Sequence, residues 1–168
     1  MKHSFKLWFS AICLLFLTLG AASADTLKDG PSDAKELDRV FPRSTLQVAT
    51  PDAKLHRFNI WLADDESRRQ RGLMFVKHLN GGDAMLFVYP QPQMIAMWMK
   101  NTFVPLDMLF VAPDGKVTHV VENTEPQSLK TIESGGAVLG VVELAAGTVA
   151  RLKIAPGAQV IHPAFAKR

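Results

Sequence analysis

The chain has 168 residues, of which 48% are hydrophobic, with 19 Lys and Arg against 16 Asp and Glu. This length allows one globular domain with a core, and the charged residues lack the clustering of Lys and Arg that a nucleic-acid-binding surface needs. The only cysteine, Cys13, lies in the N-terminal apolar run. The chain after it therefore excludes disulfides, thiolate metal sites and a cysteine nucleophile.

Residues 1–24 have the features of a secretory signal peptide. Lys2 and Lys6 give a positive start, residues 7–19 are almost wholly apolar, and the Ala-Ser-Ala that ends at Ala24 matches a small-residue cleavage pattern. We predict cleavage after Ala24, a periplasmic or secreted location, and no stable membrane insertion of the mature chain. The alternative is an uncleaved anchor, although the apolar run is short of the ~20 residues that a spanning helix needs.

Residues 25–43 are polar and charged, and their sparse apolar residues predict a flexible leader or linker with at most one helical turn around 34–39. We place a single domain at residues 44–168. Its first strands are predicted over 46–50 and 55–62, because apolar and polar residues alternate there on either side of a Pro-Asp turn.

A short helix is predicted next, from residue 66 to residue 70 or 71. The Asp-Asp-Glu at 64–66 supplies an N-cap and carboxylates for the positive end of the helix dipole, and Gly72 ends the helix. Residues 80–83 (Asn-Gly-Gly-Asp) predict a turn. Residues 85–89 then predict an apolar strand that two prolines close.

Residues 94–111 contain two apolar runs around a short polar loop. Alternation places Met97 and Met99 on one face of the first run, and Trp98 and Lys100 on the other. Pro105 ends that run, because its ring excludes the helical conformation for the residue before it and removes a donor. The polar residues gathered by this stretch are Lys100, Asn101, Thr102 and Asp107.

The last part of the chain reads as further short strands. The Pro-Asp-Gly at 113–115 predicts a hairpin between two apolar runs. The predicted elements after 111 are strand 117–121, a loop over 123–136 with one optional strand at 129–132, strand 138–144, helix 148–152 capped by Thr148, and strand 159–162. Many short strands with one or two short helices predict a mainly β fold, an antiparallel sandwich or barrel.

Three motifs resemble one exported bacterial and archaeal family. The motifs are Arg-Gly-Leu-Met at 71–74, Trp-Met-Lys-Asn-Thr at 98–102 and Pro-Leu-Asp at 105–107, and the family is called domain of unknown function 192. The resemblance covers roughly 45–162 with the motifs in the right order. It implies a compact, mainly β domain of jelly-roll-like topology, and it implies no mechanism because no agreed activity accompanies the family.

The leading hypothesis is that the 100–107 loop and Arg71 bind a small polar or anionic molecule, or an envelope partner. A guanidinium presents a planar fork to carboxylate or phosphate, and a glycine lets the backbone approach closely. The residues assigned to this site are Arg71, Gly72, Trp98, Lys100, Asn101, Thr102 and Asp107. The structural alternative is that Arg71 pairs with Asp107 while the loop amides satisfy buried backbone groups.

A second hypothesis is a methionine-based Cu(I) site. Five of the seven methionines lie between Met85 and Met108, and thioethers select Cu(I). Met97 and Met99 on one strand face would form the chelating pair. Methionines also fill cores, and Lys100 in the same pocket would repel a cation.

A third hypothesis is an envelope hydrolase with Asp107 and Glu143 as acid and base, although Glu143 could equally be the solvent-facing residue of its strand. Trp61 and Trp98 could stack a sugar ring or anchor a core. The sequence holds no phosphate loop, dinucleotide fingerprint or zinc-protease helix. We therefore expect a monomer with no cofactor and no nucleic-acid partner.

Overall fold

A computed structural model describes residues 34–166, so the predicted signal peptide and residues 25–33 lie outside the described part of the chain. The strands are β1 (Arg43–Ala49), β2 (Leu55–Ala63), β3 (Asp83–Met97), β4 (Leu106–Val111), β5 (Val117–Val121), β6 (Ile132–Ala145) and β7 (Gln159–Ile161). The helices are α1 (Ala34–Val40), α2 (Glu66–Arg71), α3 (Thr148–Leu152) and a 3-10 helix (Pro163–Phe165). Between residues 34 and 166, no helix has the length and apolar character to cross a membrane.

The seven strands form one sheet in the order β5-β4-β6-β3-β2-β1-β7. The β2–β3 pair is parallel and the other neighbouring pairs are antiparallel. The two ends of the sheet meet where Val117 N donates to Ala158 O (2.8 Å) and Val160 N donates to Gly115 O (2.7 Å). The sheet is therefore a nearly closed barrel, which confirms the predicted mainly β fold, while the parallel pair departs from the antiparallel arrangement expected throughout.

Apolar side chains form two cores, one on each face of this sheet. The interior cluster fills the barrel with alternate residues of all seven strands, among them Phe58, Leu86, Leu109, Val142 and Val160. The outer cluster lies on the opposite face of β3, β4 and β6, and it includes Met85, Phe87, Met108, Phe110 and Val141. All six residues of β4 are consequently buried.

Helix α1 and the residue after it cover part of the outer cluster. Leu37 and Phe41 are 1% and 3% exposed there, and Trp61 Nε1 donates to Asp38 Oδ1 at 2.8 Å. Helix α1 lies where the sequence allowed one helical turn, and this part of the predicted leader packs against the domain. Two apolar side chains four residues apart lie on one helix face, and that face is enough to attach so short a helix to a neighbouring core.

Strand β3 is longer than predicted, because it continues through two prolines. The sequence predicted a strand that stops before Pro90, yet β3 resumes after Pro92. The register with β6 shifts between Val88 and Gln93, so both prolines lie in a bulge where no ladder donor is needed.

Local sequence signals do fix the ends of α2. Asp65 Oδ1 accepts from Arg68 N at 2.8 Å, as the predicted N-cap requires. Gly72 N donates to Arg68 O at 2.8 Å with a φ of 45°, and a Cβ at this position would lie 3.2 Å from Phe87 Cζ. Glycine therefore allows the chain to leave α2 directly against the outer face of the sheet.

Candidate functional site

A small hollow lies on the outer face of the sheet, between the end of α2 and residues 97–102. Its volume is about 30 Å³, which suits one or two water molecules or the tip of a larger group. Five of the seven predicted site residues line it, namely Arg71, Gly72, Trp98, Lys100 and Thr102. The structure brings those five residues together, whereas Asn101 and Asp107 do not line the hollow.

Arg71 ends α2, and its guanidinium folds back over the turn that follows. Its Nη1 donates to the carbonyl oxygens of Gly72 (3.4 Å) and Met74, and its Nη2 lies 3.2 Å from Glu36 Oε1 of α1. These contacts hold the turn and α1 together. Only part of the planar fork is left to face the hollow, and the alternative in which Arg71 pairs with Asp107 is wrong.

The turns on the two sides of the hollow hold each other in unusual backbone conformations. Phe75 has a φ of 68° and Asn101 a φ of 54°, and this left-handed region is costly for a bulky side chain such as phenylalanine. Phe75 N donates to Asn101 O at 2.8 Å, and Asn101 Nδ2 lies 3.9 Å from Met74 Sδ. Asn101 therefore supports the hollow from behind rather than lining it.

Three exposed aromatic side chains lie on the segments beside the hollow and are called the aromatic rim: Phe75, Trp98 and Phe103, which are 50%, 53% and 41% exposed. Of these, Trp98 lines the hollow itself. The ring centroids of Phe75 and Phe103 are 6.1 Å apart in an edge-on arrangement. Lys100 Nζ and Arg71 Cζ each lie 5.3 Å from a ring centroid, that of Trp98 and of Phe75 respectively. Two of the cations that line the hollow thus each lie beside an exposed aromatic ring.

Thr102 fixes the loop that carries Lys100. It is 5% exposed, its N–H donates to Met99 O (3.0 Å), and its carbonyl accepts from Gln127 N (3.0 Å). Its hydroxyl donates to Lys100 O at 3.3 Å. The backbone under Lys100 is therefore held in place, while the Lys100 side chain is exposed.

Asp107 is fully buried in β4 and has a structural role. Its Oδ1 accepts from Asn123 N and its Oδ2 accepts from Val149 N, each at 2.9 Å. Helix α3 has Gly147 as its N-cap, not the predicted Thr148, and a glycine has no side chain with which to cap the helix. Asp107 supplies the acceptor that this helix end lacks, from a strand far away in sequence.

Glu143 of β6 also lines the hollow. It is only 4% exposed, so the interpretation of Glu143 as a solvent-facing strand residue is wrong. Among residues 34–166 its carboxyl group has neither a hydrogen-bond partner nor an ion pair. Burial raises the pKa of this carboxyl to about 8, because the charged form is poorly solvated there.

Asp107 and Glu143 cannot act as an acid and base pair. In the β4–β6 register, Asp107 lies opposite Leu144 and Glu143 lies opposite Met108. Directly opposed residues share a face of the sheet, and Leu144 belongs to the interior cluster while Met108 belongs to the outer one. The two carboxyl groups point to opposite faces, so the predicted catalytic pair is wrong.

The family can be decided by comparison with known sequences. The sequence profile of the domain of unknown function 192 family, described as "Uncharacterized ACR", matches residues 47–162. The chain belongs to this family. Two of the three family-like motifs, at 71–74 and 98–102, contribute residues that line the hollow, whereas the third places Asp107 in the barrel interior.

Two solved structures are similar to this family member. A protein from Sinorhizobium meliloti 1021, described as a proposed transcription regulator, is 37% identical with a TM-score of 0.72, over 74% of this chain and 96% of that one. A protein of unknown function from Novosphingobium aromaticivorans DSM 12444 is 32% identical with a TM-score of 0.69, over 71% and 85% of the two chains. No curated protein matches the chain.

One charged residue in the wall of the hollow of this family member was not predicted. Arg69 lines it, and its Nη1 donates to Val88 O at 2.9 Å. The Arg69 Cζ also lies 5.3 Å from the ring centroid of Tyr89. Burial raises the pKa of Tyr89 to about 12. The only sequence signal for Arg69 was its place two residues before Arg71, on a helix too short to show a periodic face.

The structure does not place Met97 and Met99 on one strand, although both contact the outer cluster. Strand β3 ends at Met97, whose sulfur accepts from Tyr89 Oη at 3.8 Å. Met99 turns into the outer cluster, where it is 1% exposed and its sulfur accepts from Thr124 Oγ1 at 3.2 Å. The two sulfurs thus have different partners. Because Met99 is buried in the outer cluster, it has the predicted alternative role of filling the core.

The two tryptophans of the sugar-stacking hypothesis lie in different environments. Trp61 is 2% exposed in the outer cluster, and Arg43 Cζ lies 4.2 Å from its ring centroid. Trp61 is therefore a core anchor. Of these two tryptophans, Trp98 is the one with a ring face that a ligand can reach.

The structural role of Asp107 predicts a large loss of stability on truncation. Replacement Asp107→Ala leaves two backbone N–H groups without acceptors, so we expect the free energy of unfolding to fall by about 2–5 kcal/mol. Asp107→Asn keeps one acceptor and should lose less. Urea denaturation measures both, with the exposed Glu125→Ala as a control that stays within about 0.5 kcal/mol of the parent; equal behaviour of Asp107→Ala and this control would refute the role.

The buried Glu143 predicts a stability difference that depends on pH. Its pKa is higher in the folded than in the unfolded chain. Its contribution to stability is therefore fully present when the pH is below the pKa of the carboxyl in the unfolded chain. That contribution is lost as the pH rises toward 8. The free energy of unfolding of the neutral variant Glu143→Gln, relative to that of the parent, should therefore rise by roughly 2–4 kcal/mol between pH 5 and 9. Urea denaturation at each pH measures this difference. The exposed Glu133→Gln, on the same strand, should show no such trend, and a flat difference for Glu143→Gln would contradict the burial.

Proposed function

We propose that this domain binds a small molecule, or an extended segment of an envelope partner, through one anionic group that enters the hollow. The observation that carries the proposal is the meeting of Arg71, Lys100 and the partnerless Glu143 carboxyl at a single cavity. Buried polar groups normally have partners. A carboxyl without one, in the lining of a hollow that two cations also line, is where a guest group would complete the hydrogen bonding.

The charge around the hollow favours an anion over a cation. Arg69, Arg71 and Lys100 line it, and Lys100 has no ion pair among residues 34–166. Glu143 does not oppose an anion near neutral pH, because burial raises its pKa to about 8 and keeps it protonated. The acid form can donate a hydrogen bond to a carboxylate or phosphate oxygen. The same charges speak against Cu(I) at Met97.

The size of the hollow sets how much of the ligand is recognised there. A volume of about 30 Å³ admits one small group, so the rest of the ligand lies outside, over the aromatic rim. Exposed rings of this kind bind apolar or planar surfaces. We therefore expect ligands that join an anionic group to an aromatic ring or to another flat face, such as that of a sugar.

Lys100 offers the cleanest test of this site. Lys100→Gln removes the ammonium but keeps a long polar side chain, and it should weaken the binding of benzoate and phenyl phosphate about three- to tenfold. Trp98→Ala should weaken binding as well, because the ring that covers the ligand is lost. Isothermal titration calorimetry measures both, with benzamide as the neutral ligand, which should bind more weakly than benzoate.

The matched control is Lys130→Gln, another exposed lysine, which should bind these anions like the parent protein. Arg71→Ala is a poorer probe, since Arg71 also holds the turn after α2 and should lower the melting temperature. Failure of both anions to bind, or equal affinities of Lys100→Gln and Lys130→Gln, would refute the proposed site.

We also propose that the domain works outside the cytoplasm. Support comes from the charged start, the apolar run over 7–19 and the Ala-Ser-Ala ending at Ala24. Export would separate the domain from chromosomal DNA, so the regulator description of the Sinorhizobium neighbour is not extended to this chain. N-terminal sequencing of the protein recovered from the cell envelope fraction should begin at Asp25; an intact Met1 on cytoplasmic protein would contradict export.

A further inference from the structure

We propose that the mouth of the barrel is a second binding site, which takes a compact organic cation with an apolar or aromatic body. The site is a cleft of about 930 Å³, far larger than the hollow. This volume lies in the range of pockets that hold whole small molecules, and barrel mouths are a common place for such pockets. The proposal does not depend on anion binding at the hollow.

The position of the cleft at the barrel mouth follows from its walls. Leu62, Val88 and Leu139 line it, and all three are partly buried residues packed against the interior cluster. The cleft is thus the open end of the barrel interior, not a groove on the outer face.

Two features, one in β3 and one in the 3-10 helix, keep this end of the barrel open. The bulge between Val88 and Gln93 moves β3 away from β6. On the other side, Phe165 is 5% exposed in the interior cluster, and a Cβ at Gly140 would lie 2.9 Å from Phe165 Cζ. The 3-10 helix is therefore anchored into the barrel by Phe165, while its neighbour Ala164 lines the cleft.

The walls are rigid and mostly apolar. Pro90, Pro92 and Pro113 line the cleft together with Tyr89, and a proline ring has a fixed φ, so little conformational entropy is lost on binding. Both ring nitrogens of His162 are engaged, with Ser44 Oγ at 3.2 Å from Nε2 and Ala164 N donating to Nδ1 at 3.1 Å. A ligand would therefore find apolar surface and few free donors.

The charge of the cleft decides the class of ligand. Its ionised lining residues are two carboxylates, Asp64 and Asp114, and no Lys or Arg of the described chain lines it. Arg68 neutralises Asp64 at 2.8 Å. Asp114 has no ion pair within residues 34–166, and its Oδ1 accepts only from Lys116 N, at 3.0 Å. One uncompensated negative charge beside an apolar wall favours a single positive charge on an apolar body.

Titration calorimetry of the purified protein with benzyltrimethylammonium tests the site. We expect saturable 1:1 binding that weakens as salt is added, because an exposed ion pair is screened. A large excess of sodium benzoate, whose anion carries a similar ring with the opposite charge, should weaken binding no more than the same concentration of sodium chloride does. Absence of saturable binding, or a greater loss of binding in sodium benzoate than in sodium chloride, would overturn the proposal.

Variants locate the binding at the cleft. Asp114→Asn keeps the acceptor for Lys116 N and should weaken binding about two- to fivefold, whereas Glu122→Gln, beyond the other end of β5, should leave it unchanged. Ala164→Phe places a bulky ring in the cleft and should weaken binding, with an unchanged thermal transition as evidence that the variant folds. Parent-like affinity in both Asp114→Asn and a folded Ala164→Phe would place the cation elsewhere and refute the site.

Discussion

The burial of β4 and β6 on both faces is the constraint on which the rest of the structure depends. Each strand presents side chains to the barrel interior and to the outer cluster, and every residue of β4 is buried. A polar side chain in β4, or in residues 140–144 of β6, meets no bulk water on either face, so it must find a partner or stay neutral. Asp107 and Glu143 are the two carboxyl groups placed under this constraint. The first has two backbone donors, and the second has a raised pKa and a hollow above it.

The sequence predicted those elements whose signals are local. Asp65 caps α2, Gly72 ends it, and the Asp114-Gly115 turn joins β4 to β5, because each signal acts within a few residues. The roles of Asp107 and Glu143 could not be read in this way. In an antiparallel sheet with one wet face, the alternation around Glu143 would place it in water. That inference fails here because the outer face is covered by α1 and the turn after α2, segments distant in the sequence.

The site could be predicted only in part for the same reason, because its sequence signals are local while its contacts join distant segments. Arg71, Lys100 and their neighbours belong to motifs that the sequence marks as unusual, and the β2 to β3 crossover brings these motifs together on the outer face. What the sequence could not reveal is that Arg71 and Asn101 use much of their hydrogen-bonding capacity to support the turns. The strained φ of Phe75 is maintained by the carbonyl of Asn101. Strain that persists between two tightly held turns is typical of functional surfaces, where a fixed geometry is worth its cost in stability.

The hollow and the barrel-mouth cleft share one wall, and this links their chemistry. Tyr89 lines the cleft, while its hydroxyl reaches Met97 and its ring lies under Arg69, two residues that line the hollow. Arg69 also donates to Val88 O, at the start of the β3 bulge that opens the cleft. The cationic hollow and the anionic cleft are therefore separated by a few packed side chains rather than by a core. A ligand that moves Tyr89 or Arg69 changes both surfaces at once, and any coupling between the two sites must be reciprocal in their binding free energies.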